Sequence, residues 1–585
     1  MGASTNTEVI DFTAGMDTVR AHHLIAKNES RALVNVDISK GSLSSMPSLV
    51  QLEAAQYAYS VEFLSAIYYY DKFRANAFLD NNMYWADGVL SGKVLWDGRE
   101  LPLGIPSPSA SATIASALVT PNGTHTGDFK YTYTFYSSDT GVESAPAPLP
   151  PYVTVDKDDI VISGLEAFPM SNDPVPVPVA DSYRIYRIGG YLASFTLVAT
   201  LEEADFPYTD SLDDTEIDGR ILSTLHCGAP IAGMNDFVEL NGRLFGSFGT
   251  KVYFSAVGNA DAWYQSDFYT MPDTITGIAK SPAGLLIFGA NYTYLLVGSS
   301  PANFRLKVIS NILGCVSRES IAYVGETAIW LSETGICTSN GYIIKDLTSD
   351  KIEDIANIAP TSAVVLNEVY YLSYKPTLYP TEELYPTEEL YPASTEGTND
   401  IENGIIYLDF KRGRGYSYGL FDFPNITSLS VVKGEVNVIT TAPNIIFLEC
   451  AAPLMCDAYL NCSAHDLNIL GKLRGSDYTE VLYVSPTFID GSYSTLKQYD
   501  KIRINMLGDF HVKVIFSDGN VAIEEDVKAI ESRRRIDGQE VTDNDVVTIG
   551  IPNGQNSSYS ISFIIKGVGT IKSIQYSWKP REVSN

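Results

Sequence analysis

Cys450, Cys456, Cys462 and His465 are the side chains best suited by type to hold an ion, and they stand in the pattern C-x5-C-x5-C-x2-H. A structural zinc site needs four such ligands converging on one tetrahedron, usually from pairs only two to four residues apart. Here the spacings are wider, and Leu454, Met455 and Leu460 intervene, which favours reduced, half-buried thiols over a metal centre. His22 and His23 have no carboxylate or thiol partner at helical or strand spacing and read as surface or packing residues. Ser137, Asp139 and Gly141 fit the Ser-x-Asp-x-Gly core of an Asp-box, but its closing Trp is missing. A turn that uses the backbone preferences of Asp and Gly accounts for them. Cys227, Cys315 and Cys337 are scattered and imply no disulfide framework.

Catalytic constellations are not visible. There is no G-x-S-x-G elbow, phosphate loop, H-E-x-x-H helix or recurring carboxylate pair, so the chain is expected to be no enzyme and to hold no cofactor. Two basic clusters occur. Lys411 to Gly415 (KRGRG) reads as a hairpin turn before it reads as an RNA-binding box, and Arg533, Arg534 and Arg535 read as a solvated loop rather than a docking contact. The most idiosyncratic tract is LYPTEELYPTEELYPA from Leu378, a hexapeptide given twice and begun again. Pro at every sixth position forbids a continuous helix and disfavours sheet pairing, so 376–400 is expected to be an extended loop. As filler it needs no role. As a functional element, Leu378, Tyr379, Glu382, Glu383, Tyr385, Glu388, Glu389 and Tyr391 make an acidic, Tyr-bearing tip, a candidate gate at the mouth of a channel.

The elements that would position these residues follow from a repeat. VELNGRLFGSFGTKVYFS from Val238, SPAGLLIFGANYTYLLVG from Ser281 and YVGETAIWLSETGICTSNG from Tyr323 each give two apolar strands about a polar turn. Their starts lie about 42 residues apart, the length of one four-stranded propeller blade. Further copies begin at Val365 and Val431 once the Pro-rich tract is removed, and FLDNNMYWADG at Phe78 is another. Six blades are expected. The first spans 61–112 and the rest 226–469, after a strand-rich leader over 1–60.

Residues 113–225 interrupt that register. FKYTYTFY alternates Tyr131, Tyr133 and Phe135 with Lys130, Thr132 and Thr134, and DSYRIYRIGGYLASFTLVAT reads as a hairpin about Gly189 and Gly190. The pattern is that of an inserted fibronectin-III-like β-sandwich whose ends must lie close together. From 470 to 585 a second sandwich is expected, a C-terminal platform domain. In it, Ile502, Ile504 and Met506 share a face before a turn at Gly508 and Asp509. A last hairpin sets Ile561, Phe563 and Ile565 opposite Ile574, Tyr576 and Trp578.

Charged residues make up 19% of the 585 and there are 37 Tyr, a composition that suits strands and excludes a helical protein. Net charge is −30, which argues against gripping phosphates by counterion release. The N-terminus has neither a basic region nor an apolar core, and no run of about 18 apolar residues occurs, so synthesis in a cytoplasm without a membrane span is expected. The Asn-x-Ser/Thr triplet at Asn291 then carries no meaning. Met1 and Gly2 open like a myristoylation signal, but Asn6 stands where Ser or Thr is wanted.

Taken in order, LVNVDISKGSL, NNMYW, DSYRIYRIGG, LNGRLFGS, VYFSAVGNADAW from Val252 to Trp263, LLIFGANYTYLLVG and GCVSRESIAYVGETAIWLS run along nearly the whole chain. This series resembles the tail nozzle, also called tail tubular protein B or tail hub, of short-tailed bacteriophages. The resemblance implies a virion structural protein located in the tail. Six copies would form a ring below the portal and its adaptor, hold spikes, fibres or a needle, and continue the channel through which double-stranded genomic DNA leaves. Six chains at −30 each would bring roughly −180, and an acidic wall lets DNA slide without being trapped. The rival reading is a carbohydrate-binding or carbohydrate-degrading propeller, which would need an acidic pocket at the blade axis.

Overall fold

The computed structural model describes residues 59–117, 123–170, 178–217, 219–348, 358–376, 404–410 and 481–490 without a break. It also describes shorter runs between 6 and 55, between 417 and 472 and between 495 and 581. Among these residues the regular structure is strand, with two single-turn 3-10 segments. The protein is mainly β and is built on a propeller.

Among the described residues five antiparallel four-stranded sheets and a four-stranded edge of one larger sheet are the blades. Blade one runs from Ala75–Leu79 to Glu100–Pro102, blade two from Asp236–Leu240 to Asn259–Thr270, and blade three from Gly277–Ser281 to Arg305–Ser310. Blade four runs from Ala322–Val324 to Ile344–Asp346, and blade five from Ile358–Leu366 to Ser417–Asp422. Blade six has Ile426–Val432, Glu435–Ala442 and Leu467–Lys472, and its outer strand, Val50–Ala55, comes from the other end of the chain. Part of the predicted leader is thus the clasp that closes the ring. A seventh sector, the hairpin Tyr59–Phe63 and Ala66–Tyr70, fills the gap between blades six and one. The Ser60 hydroxyl lies 2.6 Å from that of Ser430 in blade six, and the Phe63 ring stacks at 5.8 Å on Phe78 in blade one. The first blade therefore begins at Ala75 rather than at 61.

The period of two along each strand explains why flat sheets make a ring. In blade two, Phe237, Leu244 and Tyr253 join Ala77 and Tyr84 of blade one in one core, while Val238, Phe245 and Phe254 join Ile278, Leu285 and Ile287 of blade three in the next. Adjacent residues of one strand face opposite neighbours, so these strands are apolar on both sides and read as runs rather than alternations. Phe288 and Trp330 bind blade three to blade four at 4.6 Å, and Tyr407 and Leu429 bind blade five to blade six. The repeated turn has a common geometry. Leu64 and Ser65, Asp80 and Asn81, Asn241 and Gly242, and Asn367 and Glu368 all have positive φ at both central positions, the type I′ turn whose twist matches a two-residue hairpin.

The insert is a β-sandwich whose strand Val153–Ser163 belongs to both sheets. Its first part pairs with His125–Tyr136, which pairs onward with Ser182–Gly189 and Leu192–Leu201; its last part pairs with Thr113–Ala117 and Tyr208–Asp210. Tyr131, Tyr133, Phe135, Ile160, Ile162 and Ile185 fill the space between the sheets. The two ends of the insert meet, since a Cβ on Gly104 would stand 2.8 Å from the Ala229 Cα.

The C-terminal region departs from the sequence reading in an instructive way. Lys497–Phe516 and Ile561–Pro580 are single strands of 20 residues each, paired over almost their whole length, with no turn at Gly508 or at Gly567 and Gly569. Gly508 and Gly569 face each other in the ladder and Gly567 faces Phe510, and all three let the backbones approach where a side chain would collide. There both strands fold over. Tyr499 and Phe516, at opposite ends of one strand, would lie ~56 Å apart if it were straight, yet their rings stack at 5.6 Å. Phe563 and Tyr576 meet likewise at 5.7 Å. The expected partners Phe563 and Tyr576 are thus opposite each other across a core, not across a ladder, and the folded pair makes a sandwich from one continuous sheet. Asn6–Ile10, Ala32–Val34 and Leu43–Ser45 complete this sheet, which continues into the outer strand of blade five through Val34 and Leu420. Arg533, Arg534 and Arg535, expected in a loop, lie in the strand Ser532–Ile536, paired with Gln539–Asp543.

Candidate functional site

Most of the sequence-predicted site residues lie outside the described part of the chain. These are Leu378, Tyr379, Glu382, Glu383, Tyr385, Glu388, Glu389 and Tyr391, the set Cys450, Cys456, Cys462 and His465, the pair His22 and His23, and the run Lys411 to Gly415. Among the described residues no group of three or more His, Cys, Asp or Glu is arranged to hold a metal ion. Ser137, Asp139 and Gly141 form a turn closed by the Gly141 amide donating to the Ser137 carbonyl at 2.9 Å, with φ of 71° at Gly141. Asp139 pairs there with Arg99 of blade one, so the turn ties the insert to the propeller. Cys315 and Cys337 are buried in the blade three to four core, and burial pushes both thiols up to about 12, which leaves them unreactive.

The axis of the propeller, where a pore or an acidic pocket would lie, is occupied at one end. The single-turn segment Arg318–Ser320 leads into blade four, and Phe73 leads into blade one. These blades stand on opposite sides of the ring, yet the Arg318 guanidinium carbon is 5.4 Å from the centre of the Phe73 ring. The Tyr59 ring of the hairpin lies 5.0 Å from the Phe73 ring, and the Tyr370 hydroxyl of blade five donates to the Ser320 carbonyl at 2.7 Å. Side chains from four sectors thus meet over the axis. Among the described residues these side chains bridge the axis at that end.

Asp236 belongs to this cluster, 6% exposed at the start of the inner strand of blade two. Burial pushes its carboxyl up to about 7, against the opposing effects of the Ile278 amide, which donates to it at 2.9 Å, and the Arg318 charge. A carboxyl raised in the folded state contributes stability that is full below its unfolded value near 3.8 and is lost as pH rises toward 7. Asp236→Asn removes the ionising group and keeps an acceptor for Ile278. We expect its thermal midpoint to exceed that of the parent by several degrees at pH 8 and to match it at pH 4, as calorimetry at the two pH values would show.

A second polar cluster, inside the insert, was not foreseen from the sequence. Arg187 is fully buried and donates to Asp210 at 2.6 Å, to Asp214 at 2.7 Å and to the Leu212 carbonyl at 3.0 Å. Tyr131 donates to Asp210 at 2.6 Å, and His125 lies within 3.3 Å of the same carboxylate. Burial works against the charge on Asp210, but hydrogen bonds from His125 and Tyr131 and the Arg187 charge outweigh it and hold the carboxyl below its usual range. The other face of the sheet has a parallel arrangement, in which Glu143 accepts from Thr134 and Tyr186 at 2.8 and 2.6 Å and pairs with Arg184. Thr132 and Thr134, which alternate with the core aromatics, are therefore buried too. The carboxylates of these clusters are engaged by other strands and loops of the same domain, so the clusters join strands, while the Nε of Arg184 and of Arg187 are buried without a hydrogen-bond partner.

Formal charge is unevenly divided among the parts. Residues 113–225 hold 17 Asp and Glu against 5 Lys and Arg, a net −12, whereas 470–585 hold 15 against 14, a net −1. Two of the five cations of the insert, Arg184 and Arg187, are buried in the clusters above, so its surface is more acidic than the count suggests. No helix among the described residues is long and apolar enough to cross a membrane.

No protein-family model matches the chain, and no curated protein sequence does. Among solved structures, Sqt1 of Saccharomyces cerevisiae matches 74% of this chain and 100% of its own at 10% identity and a TM-score of 0.25. Hsv2 of Kluyvelomyces marxianus matches 63% of this chain and 95% of its own at 9% identity and 0.23. At such scores the likeness carries no argument, and the propeller stands on the sheets themselves.

Proposed function

We propose that this chain is a structural subunit of a short bacteriophage tail, the nozzle, of which six copies form a ring that continues the DNA channel below the portal and adaptor and anchors spikes, fibres or a needle. The observation that carries the reading is the order of the sequence phrases from LVNVDISKGSL to GCVSRESIAYVGETAIWLS along nearly the whole chain. Two physical features support it. The propeller axis is filled at one end by Arg318, Phe73 and Tyr59, so a polymer would travel between copies rather than through one. The net charge of −30 then gives the shared channel a wall that repels phosphate, and repulsion keeps a passing duplex from binding.

The reading is tested by mass measurement and low-magnification images of isolated tails. Six copies in a ring on the channel axis are expected. A copy number not divisible by three, or a position away from the channel, would remove it.

A further inference from the structure

The insert and the C-terminal sheet stand on opposite flanks of the propeller. The insert leaves and re-enters at blades one and two, where the Gly104 amide donates to Asp261 of blade two at 2.9 Å. The C-terminal sheet is continuous with blade five. Counting the hairpin as a sector, blade five lies across the ring from blades one and two. A cyclic assembly needs two different patches, on opposite sides of each copy, that complement each other head to tail.

The distal end of the insert offers one such patch. Its hairpin tip carries Tyr191, 96% exposed, held by its amide donating to Asp214 at 2.7 Å. Around the tip stand the exposed carboxylates Asp128, Asp156, Asp213 and Glu216 and the half-buried Asp158, with Lys157 the one exposed cation on the neighbouring turn. The C-terminal sheet offers the other. Its outward face runs through the ladder from Val9 to Gln575 to Arg503 to Thr548, with Val546 beside Asn505 on the next rung. Val9 and Val546 are each 55% exposed. Lys501, Arg503, Lys572 and Lys579 are exposed on the same two strands, and no salt bridge joins any of them to a described residue. Asp500 is the exposed acid beside them.

We propose that the acidic, Tyr-tipped end of the insert of one copy docks on the basic outer face of the C-terminal sheet of the next copy. The inference rests on the proposed ring and adds to it the two surfaces that would join the copies. Tyr191 supplies the apolar anchor against Val9 and Val546, and the carboxylates around it meet Arg503 and the three lysines, an arrangement of buried aromatic and charged rim typical of specific contacts. Opposite charge on the two flanks also rejects the two like-with-like pairings, insert to insert and sheet to sheet.

The test is sedimentation velocity of the full chain over a concentration series at low and high salt, with thermal melting to confirm that each variant folds. The parent should associate, and less so at high salt. Lys501→Glu with Arg503→Glu, and separately Asp156→Lys with Asp158→Lys, should each weaken association by roughly a hundredfold, and Tyr191→Ala should weaken it without changing the salt dependence. One chain carrying all four charge reversals should recover association, because the patches are again complementary. Unchanged association in both single-sided variants, no recovery in the combined one, or a parent that stays monomeric at low salt would each overturn the proposed contact. None of these outcomes bears on the copy number in isolated tails, which tests the nozzle reading by itself.

Discussion

Gly569→Val is expected to prevent the C-terminal domain from folding, while Gly550→Ala, in the strand beside the same sheet, is expected to leave it unchanged. Gly569 has φ of 142°, which L side chains rarely adopt, and lies opposite Gly508 in the ladder of the two long strands. A Cβ there would stand 2.9 Å from the Gly508 Cα and closer still to the Leu507 carbonyl oxygen. Both neighbours are backbone, so neither can swing away as a side chain could. Relief would require the strands to separate at the point where both fold over. That would pull apart the core formed by Tyr499, Phe516, Phe563 and Tyr576, each of which depends on the fold-over for its contacts. Combined backbone strain and lost packing place the expected cost above about 4 kcal/mol, the range reserved for a few named mechanisms. Around Gly550 nothing lies within 4 Å of an added Cβ. Limited proteolysis of the two variants would show the difference as rapid cleavage within 497–580 for Gly569→Val alone. Equal protection would mean that the glycine waist tolerates side chains and that the fold-over has another cause.

These glycines also show where the sequence was legible and where it was not. The blade repeat could be read because each copy keeps apolar strands about a turn with Asn or Gly, and those turns have the type I′ geometry that such residues favour. The alternation of Tyr131, Tyr133 and Phe135 gave the core face of the insert for the same local reason. Gly508 reads as a turn, and the stretch between Ile565 and Ile574 as a hairpin, because a glycine permits a turn and a close strand crossing equally, and only the partner strand decides between them. Val50–Ala55 escaped for a related reason. Nothing local to it says that its partner is Leu467–Lys472, more than 400 residues away, or that the hairpin after it completes the ring. The stretch Ser532–Ile536 reads as a loop because three consecutive arginines offer no apolar face, yet a two-stranded ribbon needs none. Of the functional reading, the candidate gate residues lie outside the described part of the chain, whereas the buried Arg187 and Glu143 clusters are described but left no signal. An Arg in a strand of otherwise apolar residues, as in Tyr183 to Ile188, is the one clue that was present. A charge between core residues has to find its partner inside.

The partner found by Arg187 sets up the other large effect. Replacing Arg187 with Met is expected to destabilise the insert by about 3–5 kcal/mol, the usual cost of removing one member of a fully buried pair. Methionine fills much of the volume, so the loss is electrostatic. It leaves Asp210, itself without exposure, with Tyr131, His125 and the Leu212 amide to offset its charge, and it frees Asp214 and the Leu212 carbonyl from the guanidinium. The same network predicts a pH dependence of definite sign. Because the folded Asp210 carboxyl is held below its ordinary 3.8, its contribution is full above that value and is lost as pH falls through the folded one. The parent insert should therefore weaken on acidification below about pH 4, and Asp210→Asn should be less stable at pH 7 and show a flatter acid limb. Hydrogen exchange of the full chain followed by mass spectrometry reads both effects locally. Faster exchange in 125–136 and 182–189, with unchanged exchange in the blade strands Gly284–Phe288 and Thr327–Leu331, is the expected result. Exchange in the insert no faster than in the parent would show that the buried pair contributes nothing beyond its own desolvation, and that the aromatic core between the sheets is sufficient without it.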